Sequence, residues 1–438
     1  MEFNFDLSQG LFSSAGIDAG TQLLLKVFSR ILDEDQAAGK PLPQRLLDSG
    51  CGCGVIGICA AKAITLASNA AQIRCQDRDE LARLLTLHNA ARNDIPPAAL
   101  EACTEPLLAG PDSGRWDMIL TNIPAKAGMP VLEDFVRRSA GLLNPGGKVL
   151  IVAVHPLADF FRERIAADAE LLHEHRGSGH TVFVYGGKTA DRLPMAAPVN
   201  AGPGFPARYP FYARTAVTCP MENIPVYLET IHGASGFDHP GGAILAAAKL
   251  AVRLKKTGCL VPQQSPLDGG APLLVHEPGQ GFFPCWLLEL LYGTAGSPPP
   301  LILSGRNILA LESSRHNAER HNVERHCAEA VSIVPAADLL LGRGALLEAA
   351  GRQRYGLIAA FPELLPQSSL PKTAKGSQGN SQLTALWDAL PPLLAEGGVL
   401  LAAFGSSDAE RFDRKKPPGF TRLASVKRNG FRAVAYRM

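Results

Sequence analysis

Apolar and polar positions along this chain fall into two alternating rhythms. Short apolar runs near 45–49, 72–76, 116–121 and 147–153 read as buried strands, and the stretches between them carry apolar residues at helical spacing. Further strands are expected near 171–175 and 180–185. Strands that alternate with helices build parallel βαβ units with right-handed crossovers, so the predicted fold class is α/β.

The pattern then returns. FSSAGIDAGTQLLL (12–25) is matched by IHGASGFDHPGGAILA (231–246), and RLLDSGCGCG (45–54) by LLVHEPGQG (273–281). IRCQDRDELARLLTLHNAARN (73–93) is matched by ILALESSRHNAERHN (308–322), each read as a strand, an acid and a helix. WDMILTNIP (116–124) pairs with YGLIAAFP (355–362), and LLNPGGKVLIVAV (142–154) with LLAEGGVLLAAF (393–404). Matched landmarks in one order predict two tandem copies of one α/β domain. The copies are expected at 1–186 and 231–438, joined by a Pro-, Gly- and Tyr-rich linker or inserted segment at 187–230. A second loose stretch, 366–382, reads as a surface loop.

Composition changes this picture little. The 438 residues are 46% apolar and 19% charged, an ordinary globular balance, and a net charge of +2 names no partner. No apolar run of membrane length and no secretory leader is visible, which predicts a cytoplasmic protein with no membrane partner. Nine cysteines stand at 51, 53, 59, 75, 103, 219, 259, 285 and 327, an odd number without framework spacing. Cys51 and Cys53 form C-x-C with no second pair at zinc-ligand spacing, so no metal is expected there. His173, His175 and His180 cluster in one segment, and His316, His321 and His326 recur every fifth residue. Five residues turn a helix by about 140°, which does not gather ligands on one face.

The chemistry concentrates in Asp48-Ser-Gly50-Cys51-Gly52-Cys-Gly54-Val-Ile-Gly57, which follows an apolar strand and opens a helix. Glycines let the backbone turn tightly and approach a ligand, with helix N–H groups aimed at it. Gly52, Gly54 and Gly57 also satisfy the dinucleotide fingerprint, with Asp77 at the expected distance. On this motif alone a methyl donor and a nicotinamide cofactor stand level. Asp48 separates them, because a carboxylate beside the turn suits an ammonium and repels a pyrophosphate. So does Asn122-Ile123-Pro124 at the carboxyl end of a later strand, where ligand chemistry takes place in open α/β sheets.

These residues resemble the class I methyltransferases, and more narrowly the tandem-domain small-subunit rRNA guanine-N2 methyltransferases. The resemblance is carried by Phe12-Ser13, Ile17-Asp18-x-Gly20-Thr21, Asp48-x-Gly-x-Gly-x-Gly, Asp77, Trp116-Asp117, Asn122-x-Pro124 and Leu143-Asn-Pro-Gly-Gly147. It implies two Rossmann-like domains, S-adenosyl-L-methionine as cofactor and an RNA substrate. It also implies that Asp48, Gly50, Cys51, Gly52 and Gly54 surround the methionine end of the cofactor, with Thr21 at its carboxylate. Asp77 would accept from both ribose hydroxyls, and Glu105 would meet the adenine edge. Asn122 and the Ile123 carbonyl would accept the hydrogens of an exocyclic amine and aim its lone pair at the methyl, with Pro124 fixing the backbone. The family's usual form is Asn-Pro-Pro followed by an aromatic. Here Ile123 and Ala125 stand instead, so the stacking ring is sought in Phe12 or the Tyr209/Phe211 segment, and the acceptor can be a base or another nitrogen.

The second copy reads as degenerate. It keeps Glu277, Gly279 and Gly281, but Phe283 and Trp286 stand where bulk would fill the cofactor space. Glu312 is matched to Asp77, and Ala360-Phe361-Pro362 to Asn122-Ile123-Pro124. The C-terminal stretch 411–438 carries nine Lys/Arg and one acid, with Phe420, Phe431 and Tyr436 among them, a composition that suits RNA phosphates and bases or a solvated hairpin. Three competitors to an RNA base N-methyltransferase stay open. They are a methyltransferase acting on a protein or small-molecule nitrogen, an NAD(P)-dependent oxidoreductase, and a non-catalytic binding protein.

Overall fold

A computed structural model describes residues 2–11, 16–65, 71–109, 115–188, 209–260, 270–293, 299–323, 331–364 and 378–438. Phe12, Ser13, His326, Cys327, most of the expected joining segment (189–208) and 366–377 lie outside the described residues. The chain divides into two compact units, Met1–Tyr212 and Ala213–Met438.

In the first unit the apolar runs become β1 (Arg45–Ser49), β2 (Gln72–Asp77), β4 (Trp116–Asn122) and β5 (Leu143–Val154), with β3 (Leu100–Thr104) added at the edge. The hairpin β6 (Glu170–Arg176) and β7 (His180–Gly186) completes a seven-stranded sheet ordered β3-β2-β1-β4-β5-β7-β6. β1 to β5 pair in parallel, and β7 runs antiparallel to β5 and β6. Helices α1 (Ala19–Ala37), α2 (Val55–Thr65), α3 (Glu80–Arg92), α4 (Met129–Ser139) and α5 (Ala158–Asp168) connect the strands. Leu24, Val27, Phe28 and Ile31 recur along α1 at helical spacing and seal it onto Leu46, Met118, Leu120, Leu150 and Val152 of the sheet. These strands are buried on both faces, as a helix-covered parallel sheet requires, and so they read as continuous apolar runs.

The second unit opens with a hairpin, β8 (Ala213–Met221) and β9 (Ile224–Ile231). This differs from the expected joining segment, because 213–231 belongs to the second unit. Val217, Cys219 and Met221 alternate with polar positions as a strand should, and Val226 and Leu228 face the same core. The unit continues with α6 (Gly242–Lys256), β10 (Leu273–His276), α7 (Phe282–Tyr292), β11 (Leu301–Gly305), α8 (Ile308–Val323), β12 (Val331–Pro335), α9 (Arg343–Ala349) and β13 (Tyr355–Ala360). It ends with α10 (Gln378–Leu393), β14 (Leu394–Gly405), α11 (Ser406–Arg414), β15 (Thr421–Arg428) and β16 (Phe431–Arg437). Its sheet order, β12-β11-β10-β13-β14-β16-β15, repeats the first unit strand for strand.

The repetition extends to side chains. Asn89 exchanges hydrogen bonds with the backbone of Asp6 and donates to the Cys53 carbonyl. Asn317 does the same with Glu229 and Gln280. Asp6 meets His88 and Arg92, and Glu229 meets His316 and Arg320. The N-terminal segment of the first unit therefore corresponds to β9 of the second.

This alignment corrects two matches read from sequence. Residues 308–322 are helical throughout, and the strand lies earlier, at Leu301–Gly305. Asp77 pairs with Thr104 as Gly305 pairs with Pro335, so Gly305, not Glu312, stands at the Asp77 position. The registers Leu46↔Met118 and Leu273↔Leu357 likewise set Phe361, not Ala360, at the Asn122 position.

Candidate active site

β1 and β4 are neighbours, and between them the strand order reverses. That switch point leaves a crevice at the carboxyl ends of the strands. The crevice is a cavity of about 440 Å³ lined by Gly50, Cys51, Gly52 and Cys53 after β1, by Asp77, Arg78 and Asp79 after β2, and by Asn122, Ile123, Pro124 and Ala125 after β4. The Thr121 hydroxyl donates to the Ser49 carbonyl at 2.7 Å and ties the two strand ends together.

The glycines divide their work. Gly50 and Gly52 have φ of +77° and +55°, and a Cβ on Gly52 would meet no atom of the described residues within 4 Å, so a side chain there would enter the cavity. Gly54 and Gly57 serve packing. A Cβ on Gly54 would lie 2.9 Å from Thr86 Cγ2, and one on Gly57 would collide with the Cys75 thiol. Gly54 is not on the cavity wall, which corrects its expected place at the cofactor.

Asp77 accepts from the Gly52 and Asp79 N–H groups, each at 3.0 Å, and burial raises its carboxyl above the usual range. It remains on the wall with lone pairs to spare. Asp48 does not reach the wall. Its side chain turns beneath the loop, where Oδ2 accepts from the Gly57 N–H at 2.8 Å and Oδ1 is buried without a partner among the described residues. Burial pushes its carboxyl up to about 7. The expected contact of Asp48 with an ammonium is therefore replaced by a role under the glycine turn. Glu105 is also off the wall and accepts from the Tyr209 hydroxyl at 3.2 Å, while the neighbouring Pro106 and Leu107 line the cavity.

Thr21 is on the wall, but its hydroxyl gives its single proton to Asp18 Oδ2 at 2.6 Å. With that proton committed, it has none to offer a carboxylate, the role expected for it. Asn122 Nδ2 lies 3.0 Å from Thr21 Oγ1 and 3.2 Å from each Asp18 carboxylate oxygen.

Several wall residues were not singled out in the sequence. Leu7, Gly10 and Leu11 arrive through the N-terminal segment strapped to α3 by Asn89 and Asn93. The repeated His-Asn-Ala of residues 88–90 and 316–318 was their visible signal. Val154 comes from the end of β5 and Tyr212 from the end of the unit, while His180, noted in the sequence only as one of a histidine cluster, enters from the start of β7. Of the expected stacking rings, Tyr209 is fully buried and Phe211 lies under the Arg138 guanidinium, so Tyr212 is the member of that segment on the wall.

In the second unit Val275, Glu277, Pro284, Gly305 and Phe361 occupy the places of Asp48, Gly50, Gly57, Asp77 and Asn122. The carboxylate of Asp48 and the N–H it accepts from are thus lost together, since Pro284 has no N–H. Phe283 and Trp286 fall below the loop rather than at its glycines, and Trp286 Nε1 donates to the Met221 carbonyl. Phe420 and Tyr436 pack into the core, Arg411, Arg422, Arg428 and Arg432 pair with Asp408, Asp413, Glu222 and Glu410, and Arg414, Lys415, Lys416 and Arg437 hydrogen-bond to Glu410, Thr384, Phe420 and Cys259, so eight of the nine basic residues are engaged within their own unit.

Among the described residues no cluster of three His, Cys, Asp or Glu could hold a metal, and no helix is long and apolar enough to cross a membrane. Residues 2–166 match the family model described as methyltransferase small domain. The Bacillus subtilis protein YbxB is 32% identical over 154 residues, covering 34% of this chain and 68% of that protein. The ribosomal RNA small subunit methyltransferase C of Chromohalobacter salexigens is 30% identical over 148 residues, 33% of this chain and 40% of that relative. The chain thus spans less than half the length of that relative. The T. thermophilus 16S rRNA N2 G1207 methyltransferase (RsmC), solved with AdoMet and guanosine, superposes with a TM-score of 0.60 at 15% identity, covering 99% of this chain and 95% of that one. At that identity the likeness is one of fold.

Proposed function

We propose a function for a chain that belongs to the class I S-adenosylmethionine-dependent methyltransferases of the small-domain family: its first unit methylates an exocyclic amine of a nucleobase in small-subunit ribosomal RNA. One observation carries the proposal. A single cavity gathers the open glycine turn at Gly50–Gly52, the Asp77 carboxylate and the Asn122–Ala125 loop.

The wall fits the cofactor. Gly52 leaves the room that a Cβ would fill, and Asp77 can accept from paired ribose hydroxyls while its other lone pairs stay on Gly52 and Asp79. Bound there, S-adenosylmethionine supplies an electrophilic methyl group on a sulfonium. A ring-conjugated amine needs orientation more than a strong base. The Asn122 side-chain oxygen and the Ile123 carbonyl accept its two hydrogens and direct its lone pair, and Pro124 holds that backbone in place. Such a substrate sets the reaction in the cytoplasm.

The test gives the full chain labelled S-adenosylmethionine together with small ribosomal subunits, and follows the label into RNA and protein fractions. Label recovered as N2-methylguanosine is the expected result; label in protein alone would assign the other acceptor class. Asn122→Ala should lower transfer by about 10²-fold or more while leaving cofactor affinity unchanged. Undiminished transfer would refute the site assignment.

A further inference from the structure

The geometry points to Asp18 as the positioning residue that decides which end of the Asn122 side chain meets the substrate. This inference rests on the reading of Asn122 given above. A carboxamide has one accepting and one donating end, and a half-turn exchanges them. A hydrogen-bearing amine needs the accepting end.

Asp18 caps α1, accepting from Gly20 N at 2.9 Å and Thr21 N at 3.1 Å. Its carboxylate also takes the Thr21 hydroxyl proton, so Thr21 can offer Asn122 only a lone pair. Both groups facing Asn122 are therefore acceptors, at 3.2 Å and 3.0 Å from Nδ2. Only the amide nitrogen satisfies them, which turns the oxygen away from Asp18. The flipped rotamer would set an oxygen against a carboxylate and leave the NH₂ to oppose the amine hydrogens.

The second unit separates this role from helix capping. Gly20 lies against His180 as Gly242 lies against Phe431, which places Pro240, Ala243 and Phe361 at the positions of Asp18, Thr21 and Asn122. All three members of the clasp are gone there, yet α6 forms with no side-chain cap. The fold does not need the carboxylate, whereas the orientation of Asn122 does.

Asp18→Asn keeps the cap, since Asn and Asp cap helices equally well, but loses the acceptor-only character. In the full chain its first readout needs no substrate: the Asn122 side-chain NH₂ resonance, assigned by its absence in Asn122→Ala, should move and exchange faster with water. With labelled donor and ribosomal subunits, kcat should fall by about 10²-fold at unchanged KM and donor affinity. Asn122→Asp sets two carboxylates face to face, and adding Asp18→Asn to it restores a donor–acceptor pair with one oxygen free. The double variant should recover at least about tenfold over Asn122→Asp alone. An unmoved resonance, a wild-type kcat in Asp18→Asn, or no recovery in the double variant would each overturn the positioning role. Full activity in Asn122→Ala would remove the site reading beneath it.

Discussion

A carboxylate near the end of a strand can turn to either face of the sheet, and neighbouring residues in the sequence do not say which. Asp48 shares a face with Leu46 by the two-residue period, so it points at α2 and takes the Gly57 N–H rather than opening into the cavity. Glycine spacing made the loop legible, and strand-end position did the same for Asp77 and Asn122. The partner of Glu105 was illegible because Tyr209 reaches it through tertiary folding, whereas Thr21 is held by Asp18, the cap of its own helix three residues away. Asp48 also carries a pH signature. Burial raises its carboxyl to about 7, above the unfolded value, so the stability that its proton contributes is full below the unfolded value and is lost as pH rises through 7. Asp48→Asn should therefore raise the melting temperature over the native protein more at pH 8 than at pH 5.5. An equal difference at both would show that Asp48 ionises freely.

Among elements, the strands with apolar character on both faces were readable, and those at margins were not. β3 is short, and four of its five residues are only partly buried or exposed, so it carries little pattern. The β8–β9 hairpin alternates correctly, but Pro220 and Pro225 disguise it as a linker. The duplicated asparagine locks give a prediction for each copy. Replacing Asn89 or Asn317 with Ala leaves buried backbone groups unpaired, at a cost of about 1–3 kcal/mol each. Both variants should melt earlier by calorimetry. Asn89→Ala should also weaken cofactor binding, because the strap it holds brings Leu7, Gly10 and Leu11 to the cavity, and Asn317→Ala should leave that affinity unchanged. Equal losses in both would mean that the strap has no part in the site.

At the scale of the whole molecule, the repeat was visible because βαβ spacing survives when chemistry does not. The second unit kept the strand order and the asparagine lock while exchanging every polar wall position compared above, Asp77 for Gly305 and Asn122 for Phe361 among them. At β11 and β13 the acid Glu312 and the proline Pro362 stand out of step with the strand register, which sets Gly305 and Phe361 at the Asp77 and Asn122 positions. One copy is left equipped for the cofactor. Calorimetric titration of the full chain with S-adenosylhomocysteine, the product form of the donor, tests this directly. The account predicts one molecule bound per chain, none detectable in Gly52→Val, and unaltered affinity in Asn122→Ala. Two molecules per chain, or binding that survives Gly52→Val, would contradict it.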